Sequence, residues 1–355
     1  MRVLVVNAGS RTLKLSVVEH DLVVSSLTLD PWLGDATAIR TFAAATGPAD
    51  AVGHRVVHGG TEFTDAVVLD DTVISQLRAL TNLAPLHQPR ALAAIDAARH
   101  AVPAVDHVAC FDTAFHATMP AAASTYALPA EWRKRWPLRR FGFHGLSHAY
   151  VARRSAELAG RPPGSLRTVS CHLGAGASLC AIAGGRSVDT TMGFTPLEGL
   201  VMATRAGNID PGLVLWLQEH AGLDIEDVRD GLEQRSGLMG LCGTDDMRTV
   251  LERRAGGDAE AVLAFDVYTL ALRRSLGAMV ASLFSVDIFA FTGGVGEHAA
   301  EVRAAAGMPL DEEANRSTTS DGEITAPGAD VRTFVITAHE DAEIAHQVRA
   351  LLDRR

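Results

Sequence analysis

The sequence predicts an α/β fold made of two domains that begin alike. Its 355 residues suggest about two domains by length alone. Aliphatic and small residues dominate, and aromatic residues make up only 5% of the chain, which favours an α/β protein. Each half opens with a β-rich run, a small polar turn and a second β-rich run, at residues 3–18 and 166–182. We therefore expect two α/β domains of related design.

The first half contains clear strand and helix patterns on both sides of one weak stretch. The expected strands are 3–6, 13–18, 51–57 and 105–111, and the expected helices are 71–83, 89–100 and 147–159. The first two strands pair as a hairpin around the polar turn that begins at Asn7. Residues 19–50 carry little signal, so no element is predicted there.

The second half follows the best linker signal in the chain, Arg161-Pro162-Pro163-Gly164. The expected strands are 166–173, 179–182, 287–292 and 331–336, and the expected helices are 212–219, 259–283 and 341–352. The first domain should hold residues 1–147 and 345–355, and the second residues 148–344.

Charge and composition argue against several classes of partner. The formal net charge is −10, which does not favour binding to nucleic acid. Apolar runs fall short of the roughly 20 residues that a membrane helix needs, and polar residues from Asn7 on interrupt the first apolar run too early for a signal peptide. No cysteine belongs to a CxxC pair, so buried reduced thiols and a cytoplasmic location are expected. The cysteines are Cys110, Cys171, Cys180 and Cys242.

Three glycine-containing turns follow strands, at residues 7–10, 174–178 and 293–296. Such turns let backbone N–H groups approach phosphate oxygens without a Cβ clash. One such turn is usually only a turn, and none here is a Walker A loop. Three in one chain, with Lys14 just past the first, make a nucleotide site as plausible as plain turns.

A set of ionisable residues also lies near turn signals: Arg55, Asp112, His144, Arg205 and Glu340. Both arginines are flanked by apolar and glycine residues, and a buried arginine needs an anion such as a carboxylate or phosphate. His144 and His148 have a spacing that would allow a metal site on a helix. Glycines on both sides of His144 argue against a helix there, so zinc is not predicted.

Nine stretches of the chain together resemble the acetate kinase family, almost from end to end. They are NAGS with Leu13-Lys14, GHRVVHGG (53–60), LAPLH (83–87), FDTAFH (111–116), FGFHGLSH (141–148), CHLGAGAS (171–178), MGFTPLEGLVMATRAGNIDPG (192–212), FTGGVGEH (291–298) and Glu340-Asp341. The block from Met192 is the most specific. The glycine turns are shared more loosely by the sugar kinase, Hsp70 and actin superfamily, whose ribonuclease H-like fold has two related α/β domains with nucleotide in the cleft between them.

The resemblance implies transfer of the ATP γ-phosphate to acetate, giving acetyl phosphate and ADP. Arg205 and His144 would stabilise the transferring phosphoryl group, and Asp112 matches the family's catalytic aspartate. Asn7 and Glu340 match the residues of a magnesium site, with manganese as an alternative metal. Acetate has no proton to lose, so Asp112 is expected to orient Arg205 or a metal-bound water, unless it only caps the next segment.

For the acid, the resemblance implies that Arg55 holds the carboxylate. Val57, Leu86, Phe143 and Pro196 match the apolar pocket around the methyl group. For ATP and ADP it implies a larger set of contacts: Ser10, Thr12, Lys14, His172, Leu173, Gly174, Ala175, Gly176, Asp246, Met247, Arg248, Gly294, Val295, Gly296, Glu297 and His298. Ala175 replaces the family's usual asparagine and Met247 a frequent aromatic residue, so these positions leave the nucleotide affinity and the nucleotide preference open.

Three functions remain in competition at this stage. The leading one is an acetate kinase with propionate as a weaker substrate. The second is a kinase that prefers propionate or butyrate, which a wider acyl pocket would favour. The third is a nucleotide sensor without activity, which loss of Arg205, His144 or Glu340 would have favoured. The resemblance also implies a homodimer.

Overall fold

The computed structural model describes residues 1–9, 12–85, 87–318 and 320–354. The chain packs as two compact units. The first unit comprises Met1–Ala117, Phe143–Tyr150 and His339–Arg355, and the second comprises Thr118–Gly142 and Val151–Ala338. The domain limits expected from the sequence, 1–147 with 345–355 and 148–344, stay a prediction.

The strands were numbered in chain order. They are β1 (Arg2–Ala8), β2 (Leu13–Glu19), β3 (Leu22–Leu29), β4 (Ala51–Val56), β5 (Val67–Val68), β6 (Asp106–Phe111), β7 (Arg167–Leu173), β8 (Ala177–Ala183), β9 (Arg186–Thr190), β10 (Ile288–Thr292), β11 (Gly322–Glu323) and β12 (Arg332–Val335).

The helices follow the same numbering, and short 3₁₀ turns lie at Thr81–Leu83, Ala114–Thr118 and Pro163–Ser165. The α-helices are α1 (Thr37–Thr46), α2 (Asp71–Ala79), α3 (Gln88–Ala101), α4 (Ala121–Ser124), α5 (Ala130–Arg135), α6 (Gly145–Ala159), α7 (Pro211–His220), α8 (Ile225–Gln234), α9 (Gly237–Cys242), α10 (Met247–Ala255), α11 (Ala259–Leu283), α12 (Gly293–His298), α13 (Ala300–Ala305), α14 (Glu312–Ser317) and α15 (Glu340–Leu352).

Both units contain a six-stranded mixed sheet with the same topology. The strand orders are β3-β2-β1-β4-β6-β5 and β9-β8-β7-β10-β12-β11. In each sheet the first three strands form an antiparallel meander. The next two strands join it in parallel, and a two-stranded antiparallel pairing closes the far edge. The two related α/β halves expected from the sequence are therefore confirmed at the level of topology.

Helices cover both faces of the first sheet. Along β1, Val3 and Val5 pack with α15, whereas Leu4 and Val6 pack with α1 and α3, because successive strand residues point to opposite faces. Gly53 in β4 lets α15 lie close, since a Cβ there would come within 2.6 Å of an Ile344 methyl carbon. In the second unit, α11 packs on β7, β8 and β9.

Most predicted elements are present within a residue or two, including the long helix α11. The prediction missed β3 and α1 in the stretch 19–50. The side chains of the edge strand β3 are mostly exposed, so it lacks the inside–outside alternation that identifies a strand. One helix bound also differs, because the helix expected at 71–83 ends at Ala79. The third glycine turn opens directly into α12, a helix that was not predicted. No helix in the described ranges is long and apolar enough to cross a membrane.

Candidate active site

Polar side chains of the first unit gather where three neighbouring strands end. Asn7 lies near the end of β1, Arg55 near the end of β4, and Asp112 directly after β6. These strands are adjacent and parallel, so their carboxyl ends share one edge of the sheet, where ligand sites of open α/β sheets form. The Arg55 Nη1 atom lies 3.4 Å from Asn7 Oδ1.

Arg55 is the centre of this cluster. Its Nε and Nη2 atoms donate to Asp112 Oδ2 over 3.0 and 2.7 Å, and Glu340 Oε2 lies 3.8 Å from Nε. Burial lowers the pKa of Arg55, but the Asp112 and Glu340 carboxylates outweigh burial, so its pKa is raised. The guanidinium is therefore a fixed cation held between two acids.

One carboxylate oxygen of Asp112 accepts hydrogen bonds, and the other has no hydrogen-bond partner among the described residues. The pKa of its carboxyl is raised to about 6: burial is the main cause, the Arg55 guanidinium opposes it, and the charge of Glu340 adds to the rise. Oδ1 is buried and makes no hydrogen bond within the described chain. Asp112 pairs with Arg55, a partner that the sequence does not predict, and its expected role in orienting Arg205 or a metal-bound water stays a prediction.

The oxygens of this cluster fit magnesium. Asn7, Asp112 and Glu340 all contact or lie close to Arg55, and the buried Asp112 Oδ1 has an acceptor lone pair to spare. Magnesium is usually held by one or two carboxylates, several waters and substrate phosphates. The described residues contain no cluster of three His, Cys, Asp or Glu side chains able to hold a metal.

Lys14 and Asp341, the residue after Glu340, form another ion pair of the first unit. Lys14 Nζ lies 2.8 Å from Asp341 Oδ2, and Ser16 Oγ donates to the same oxygen over 2.7 Å. Asp341 is buried, whereas the Lys14 side chain is 47% exposed. Lys14 therefore reaches solvent from β2 while its ammonium group is held beside α15. Ser10, expected at the same phosphates, lies outside the described residues, and Thr12 is half-buried.

His144 is held in an unusual backbone conformation. Its φ is +56°, in the left-handed region, and α6 begins only at Gly145, as the flanking glycines predict. The Gly145 N–H donates to the Asp112 carbonyl over 2.9 Å, and a Cβ at Gly145 would collide with that carbonyl. This close approach of two backbones ties His144 to the strand end that carries Asp112.

Two of the residues expected to line the acyl pocket are buried in the first unit. Val57 is 7% exposed and Phe143 is 2% exposed. The His58 ring meets Phe143 edge-on with 5.6 Å between ring centroids, and His116 Nε2 lies 3.0 Å from the Phe143 carbonyl oxygen. Leu86 lies outside the described residues.

Four buried histidines of the first unit titrate below the ordinary histidine pKa of 6.5. Burial is the main cause for each, and it lowers the pKa of His58 and of His116 to about 4. The pKa values of His54 and His107 are lowered as well. The rings of these two stack, and His54 Nε2 lies 2.9 Å from His107 Nδ1. All four are therefore neutral in the folded protein at pH 7.

We expect the free energy of unfolding to fall as the pH drops from about 6.5 toward about 4. In that window the unfolded histidines bind protons and the native ones do not, so stability that is complete above 6.5 is lost. The loss is on the order of 3 kcal/mol for each of His58 and His116. Asp112, whose pKa is raised, acts in the opposite direction, but it is one group against four. Urea unfolding between pH 7.5 and 5 measures the effect.

The control for this prediction is His116→Gln, which removes one of the four groups and should flatten the pH slope. A free energy of unfolding that stays constant between pH 7 and 5 would contradict the account, because carboxylates with ordinary pKa values change little in that range.

Arg205 in the second unit is an arginine for which the described residues provide no acid partner. Its Nη1 atom donates to the Pro196 carbonyl over 3.2 Å and lies 3.7 Å from Met202 Sδ. No carboxylate of the described chain forms an ion pair with it. Burial lowers the pKa of Arg205, and the charge of Glu233 opposes this effect. A partly buried guanidinium with neutral neighbours provides a site for an anion.

The segments expected to bind nucleotide line one cavity of the second unit, with a volume of about 430 Å³. It lies between the turn after β7, the start of α10 and the start of α12. Its lining includes Gly174, Ala175, Asp246, Met247, Arg248, Gly294, Val295 and His298, together with Ala203, Leu238, Asp245, Leu251, Tyr268 and Ala299. The volume is within the usual range for small-molecule sites. The last six lining residues were not predicted as nucleotide contacts.

The remaining expected nucleotide residues of the second unit lie next to these lining segments in the chain. Gly174 N–H donates to the Gly176 carbonyl and Ala203 N–H to the Ala175 carbonyl, which shapes the turn after β7. His172 and Leu173 are the last residues of β7, and Leu173 is fully buried. Gly296 is buried in α12.

Glu297 contacts backbone within its own unit. Its Oε1 accepts from the Gly293 and Ala338 N–H groups, both over 3.0 Å. It therefore fastens the start of α12 to the segment after β12.

Arg303 fastens the other end of α12, and no sequence motif points to it. This arginine is 1% exposed. Its Nη1 donates to the carbonyls of Gly296 and Glu297 over 2.9 and 2.7 Å, and its Nε donates to Asn315 Oδ1 over 2.7 Å. A buried cation at a helix C-terminus is stabilised by the unpaired carbonyls there.

Comparison with known proteins places the chain in one family. The model of the acetokinase family matches residues 36–346. The acetate kinase of Streptomyces griseus is 47% identical and aligns with 86% of this chain and 76% of its own length. The acetate kinase of Streptomyces coelicolor is 40% identical over 99% of this chain and 97% of its own.

Solved structures agree with this assignment. The acetate kinase of Porphyromonas gingivalis superposes with a TM-score of 0.91 at 31% identity, covering 99% of both chains. A propionate kinase from Francisella tularensis superposes with a TM-score of 0.90 at 31% identity, covering 98% of both. The chain belongs to the acetokinase family.

Proposed function

We propose that this protein is an acetate kinase, which transfers the γ-phosphate of ATP to acetate and yields acetyl phosphate and ADP. The observation that carries the proposal is the cavity of the second unit. Residues from three segments far apart in sequence line one space of about 430 Å³: Gly174 and Ala175, then Asp246, Met247 and Arg248, then Gly294, Val295 and His298. Each of them belongs to the set that the family resemblance assigns to nucleotide.

Phosphoryl transfer requires the protein to position the two reactants and to stabilise charge on the transferring group. Phosphoryl transfer has a transition state with charge spread over the equatorial oxygens, so donors and cations do most of the work. In this proposal Arg55 binds the acid's carboxylate, and Asp112 holds the Arg55 guanidinium in place through Nε and Nη2. Arg205 and His144 stabilise the transferring group, and Lys14 meets the phosphates.

Magnesium would be held by Asn7 and Glu340, close to the unpartnered Asp112 Oδ1. When bound, the metal neutralises charge on the nucleotide phosphates. Asp112 needs no role as a base, because acetate is ionised at neutral pH. Its buried pairing with Arg55 makes it the group that keeps the acid-binding cation oriented.

The experiment that tests the proposal is ATP-dependent formation of acyl phosphate, trapped with hydroxylamine, with formate, acetate, propionate and butyrate. We expect acetate to be the best substrate, followed by propionate and then butyrate. No hydroxamate from any acid, with ATP and magnesium present and the protein folded, would refute the proposal. Propionate above acetate would establish the second candidate, with which the likeness to the Francisella propionate kinase is compatible.

Val57→Ala should raise activity on propionate relative to acetate. The side chain is buried and is proposed to face the methyl group of the acid. An added methylene gains up to about 0.8 kcal/mol where it finds room, whereas in a filled pocket overpacking costs roughly 1–3 kcal/mol. The ratio of kcat/KM values for the two acids measures the effect.

A matched control is Val56→Ala, which removes the same atoms from the preceding residue. Val56 packs instead in the core with Leu77 and Ile95, so its loss should destabilise the fold and leave the acid preference unchanged. An unchanged propionate-to-acetate ratio in Val57→Ala would show that Val57 does not line the pocket.

The resemblance implies a homodimer, and we propose that it forms through α7 and α8. No residue of α7 is buried, and Leu215, Trp216 and Ile225 are 58%, 53% and 64% exposed. An apolar surface of this kind marks an interaction site.

Light scattering at micromolar concentration should give twice the 37.5 kDa subunit mass. The double variant Leu215→Glu with Ile225→Glu should give the mass of a single subunit. Phe284→Ser, at a more exposed apolar position outside α7 and α8, is the control and should stay dimeric. A single-subunit mass for the unmodified protein would contradict the proposal.

A further inference from the structure

The loop formed by residues 192–198 sets the position of Arg205. The Pro196 carbonyl in this loop accepts a hydrogen bond from Arg205 Nη1. Because Arg205 has no ion pair with an acid of the described chain, the Pro196 carbonyl and the Met202 thioether are the groups that orient its guanidinium. Whatever holds the loop therefore also holds Arg205.

Glu198 is the side chain on which the contacts of this loop converge. Tyr126 Oη donates to its Oε2 over 2.5 Å, and Arg140 Nη2 donates to its Oε1 over 2.6 Å. Both carboxylate oxygens are therefore used, one by a neutral donor and one by a cation. The Arg140 guanidinium also lies 5.6 Å from the centre of the Tyr126 ring, so the two partners of Glu198 support each other.

The same two partners bind the backbone of the loop. The Tyr126 hydroxyl accepts from the Phe194 N–H over 2.9 Å. Arg140 Nη1 donates to the carbonyls of Thr191 and Met192 over 3.0 and 3.1 Å. Tyr126 and Arg140 thus each link the Glu198 carboxylate, at the end of the loop, to backbone groups at or near its start.

Gly193 shows how tightly this arrangement is packed. A Cβ at this position would overlap Glu198 Oε2 and Tyr126 Oη, so only glycine leaves room for their hydrogen bond. The Gly193 carbonyl accepts from the N–H groups of Phe141 and Gly142 over 3.0 and 3.2 Å. The segment that supplies these donors continues along the chain into Phe143 and His144.

We propose that Glu198 is a positioning residue for phosphoryl transfer, acting through the 192–198 loop on Arg205. It touches neither substrate nor nucleotide in this account. With Tyr126 and Arg140 it fixes the Pro196 carbonyl, which in turn fixes the Arg205 guanidinium. The inference rests on the proposed function. It adds Glu198, with Tyr126 and Arg140, as residues that affect kcat without contacting the reacting atoms.

The first test is Glu198→Gln in the full-length protein. Glutamine keeps the size of the side chain and can still accept from Tyr126, but it loses the charge that pairs with Arg140. A small displacement of a catalytic group costs up to about 100-fold in rate, so we expect kcat to fall roughly 10- to 100-fold. The KM for ATP should stay within about twofold, since the change affects the transition state. Tyr126→Phe, which removes one hydroxyl, is a milder second variant with the same expected split.

The matched control is Glu323→Gln, the same substitution at another ion pair of the second unit. Glu323 is bound by Arg332 over 2.9 and 2.7 Å and by Thr325, all outside the loop. It should lose as much stability as Glu198→Gln and keep its kcat. Urea unfolding of all three variants reports stability separately from turnover.

A double-mutant cycle with Arg205→Ala separates positioning from a general structural role. If Glu198 acts through Arg205, Glu198→Gln should lower kcat in the unmodified protein and leave it unchanged in Arg205→Ala. Equal effects in both backgrounds, or a normal kcat in both Glu198→Gln and Tyr126→Phe, would overturn the inference. An unmodified protein that forms no acyl phosphate would refute the proposed function instead, so the two failures are distinguishable.

Discussion

Arg205→Ala is expected to lower kcat by about 10²- to 10³-fold, the loss typical of one well-placed transition-state donor. The KM values for acetate and ATP should change little, because an interaction made only in the transition state acts on turnover. The reason lies in the surroundings of Arg205: its guanidinium is partly buried, bonds to a neutral carbonyl and lacks an acid partner in the described chain. Such a cation has its charge available for the transferring phosphoryl group.

Two variants make this result interpretable. Arg205→Lys keeps the charge but loses the planar fork, so it should recover only part of the rate. Arg332→Ala removes an arginine of the same unit that is paired with Glu323 on the surface, and it should turn over normally. A rise in the acetate KM at unchanged kcat in Arg205→Ala would show that Arg205 binds the substrate and does not stabilise the transition state.

Asp112→Asn is expected to lower kcat/KM for acetate by roughly 10- to 100-fold through misplacement of Arg55. Asparagine can accept one hydrogen bond from Arg55 but cannot balance its charge. Arg55 would then be drawn toward Glu340, which lies 3.8 Å away, and would present its donors to the acid at the wrong angle. Arg55→Ala should weaken acetate binding directly, so the effects of the two substitutions should not add.

The pH profile gives this second prediction a distinctive signature. The pKa of Asp112 is raised to about 6, chiefly by burial, so kcat/KM for acetate should fall as the pH drops below about 6 and the carboxylate is protonated. In Asp112→Asn the group no longer titrates, and this acidic limb should disappear while the remaining rate stays flat. The profile is measured between pH 5 and 8 by hydroxamate formation. An acidic limb of the same midpoint in Asp112→Asn would assign it to another group.

The local patterns of the sequence predicted much of the fold. Both strand–turn–strand openings, the long helix α11 and the final helix were expected from the alternation and periodicity of apolar residues, because their buried faces are continuous. The edge strand β3 was missed because its side chains face solvent and its sequence has no inside–outside pattern. The repeated order of the two sheets needed the structure, since strand order depends on crossovers that no local pattern records.

The residues of the candidate site were likewise only partly predictable from the sequence. Family motifs indicated Arg55, Asp112 and the three nucleotide segments, and those segments line one cavity. The partners of these groups were not predictable, because they are separated by long stretches of chain. Asp112 meets Arg55 across 57 positions and Tyr126 meets Glu198 across 72. Arg303, buried among carbonyls at the end of α12, looks in the sequence like an ordinary surface arginine.

The most direct test of the proposed activity follows oxygen atoms through the reaction. The protein is incubated with ATP, magnesium and acetate labelled with ¹⁸O in both carboxylate positions, and the products are examined by ³¹P NMR and mass spectrometry. Direct transfer to the carboxylate predicts ADP and acetyl phosphate in equal amounts, with both labelled oxygens retained and one of them bonded to phosphorus. ADP with unlabelled inorganic phosphate and no acetyl phosphate would contradict the account, because the γ-phosphate would then have gone to water.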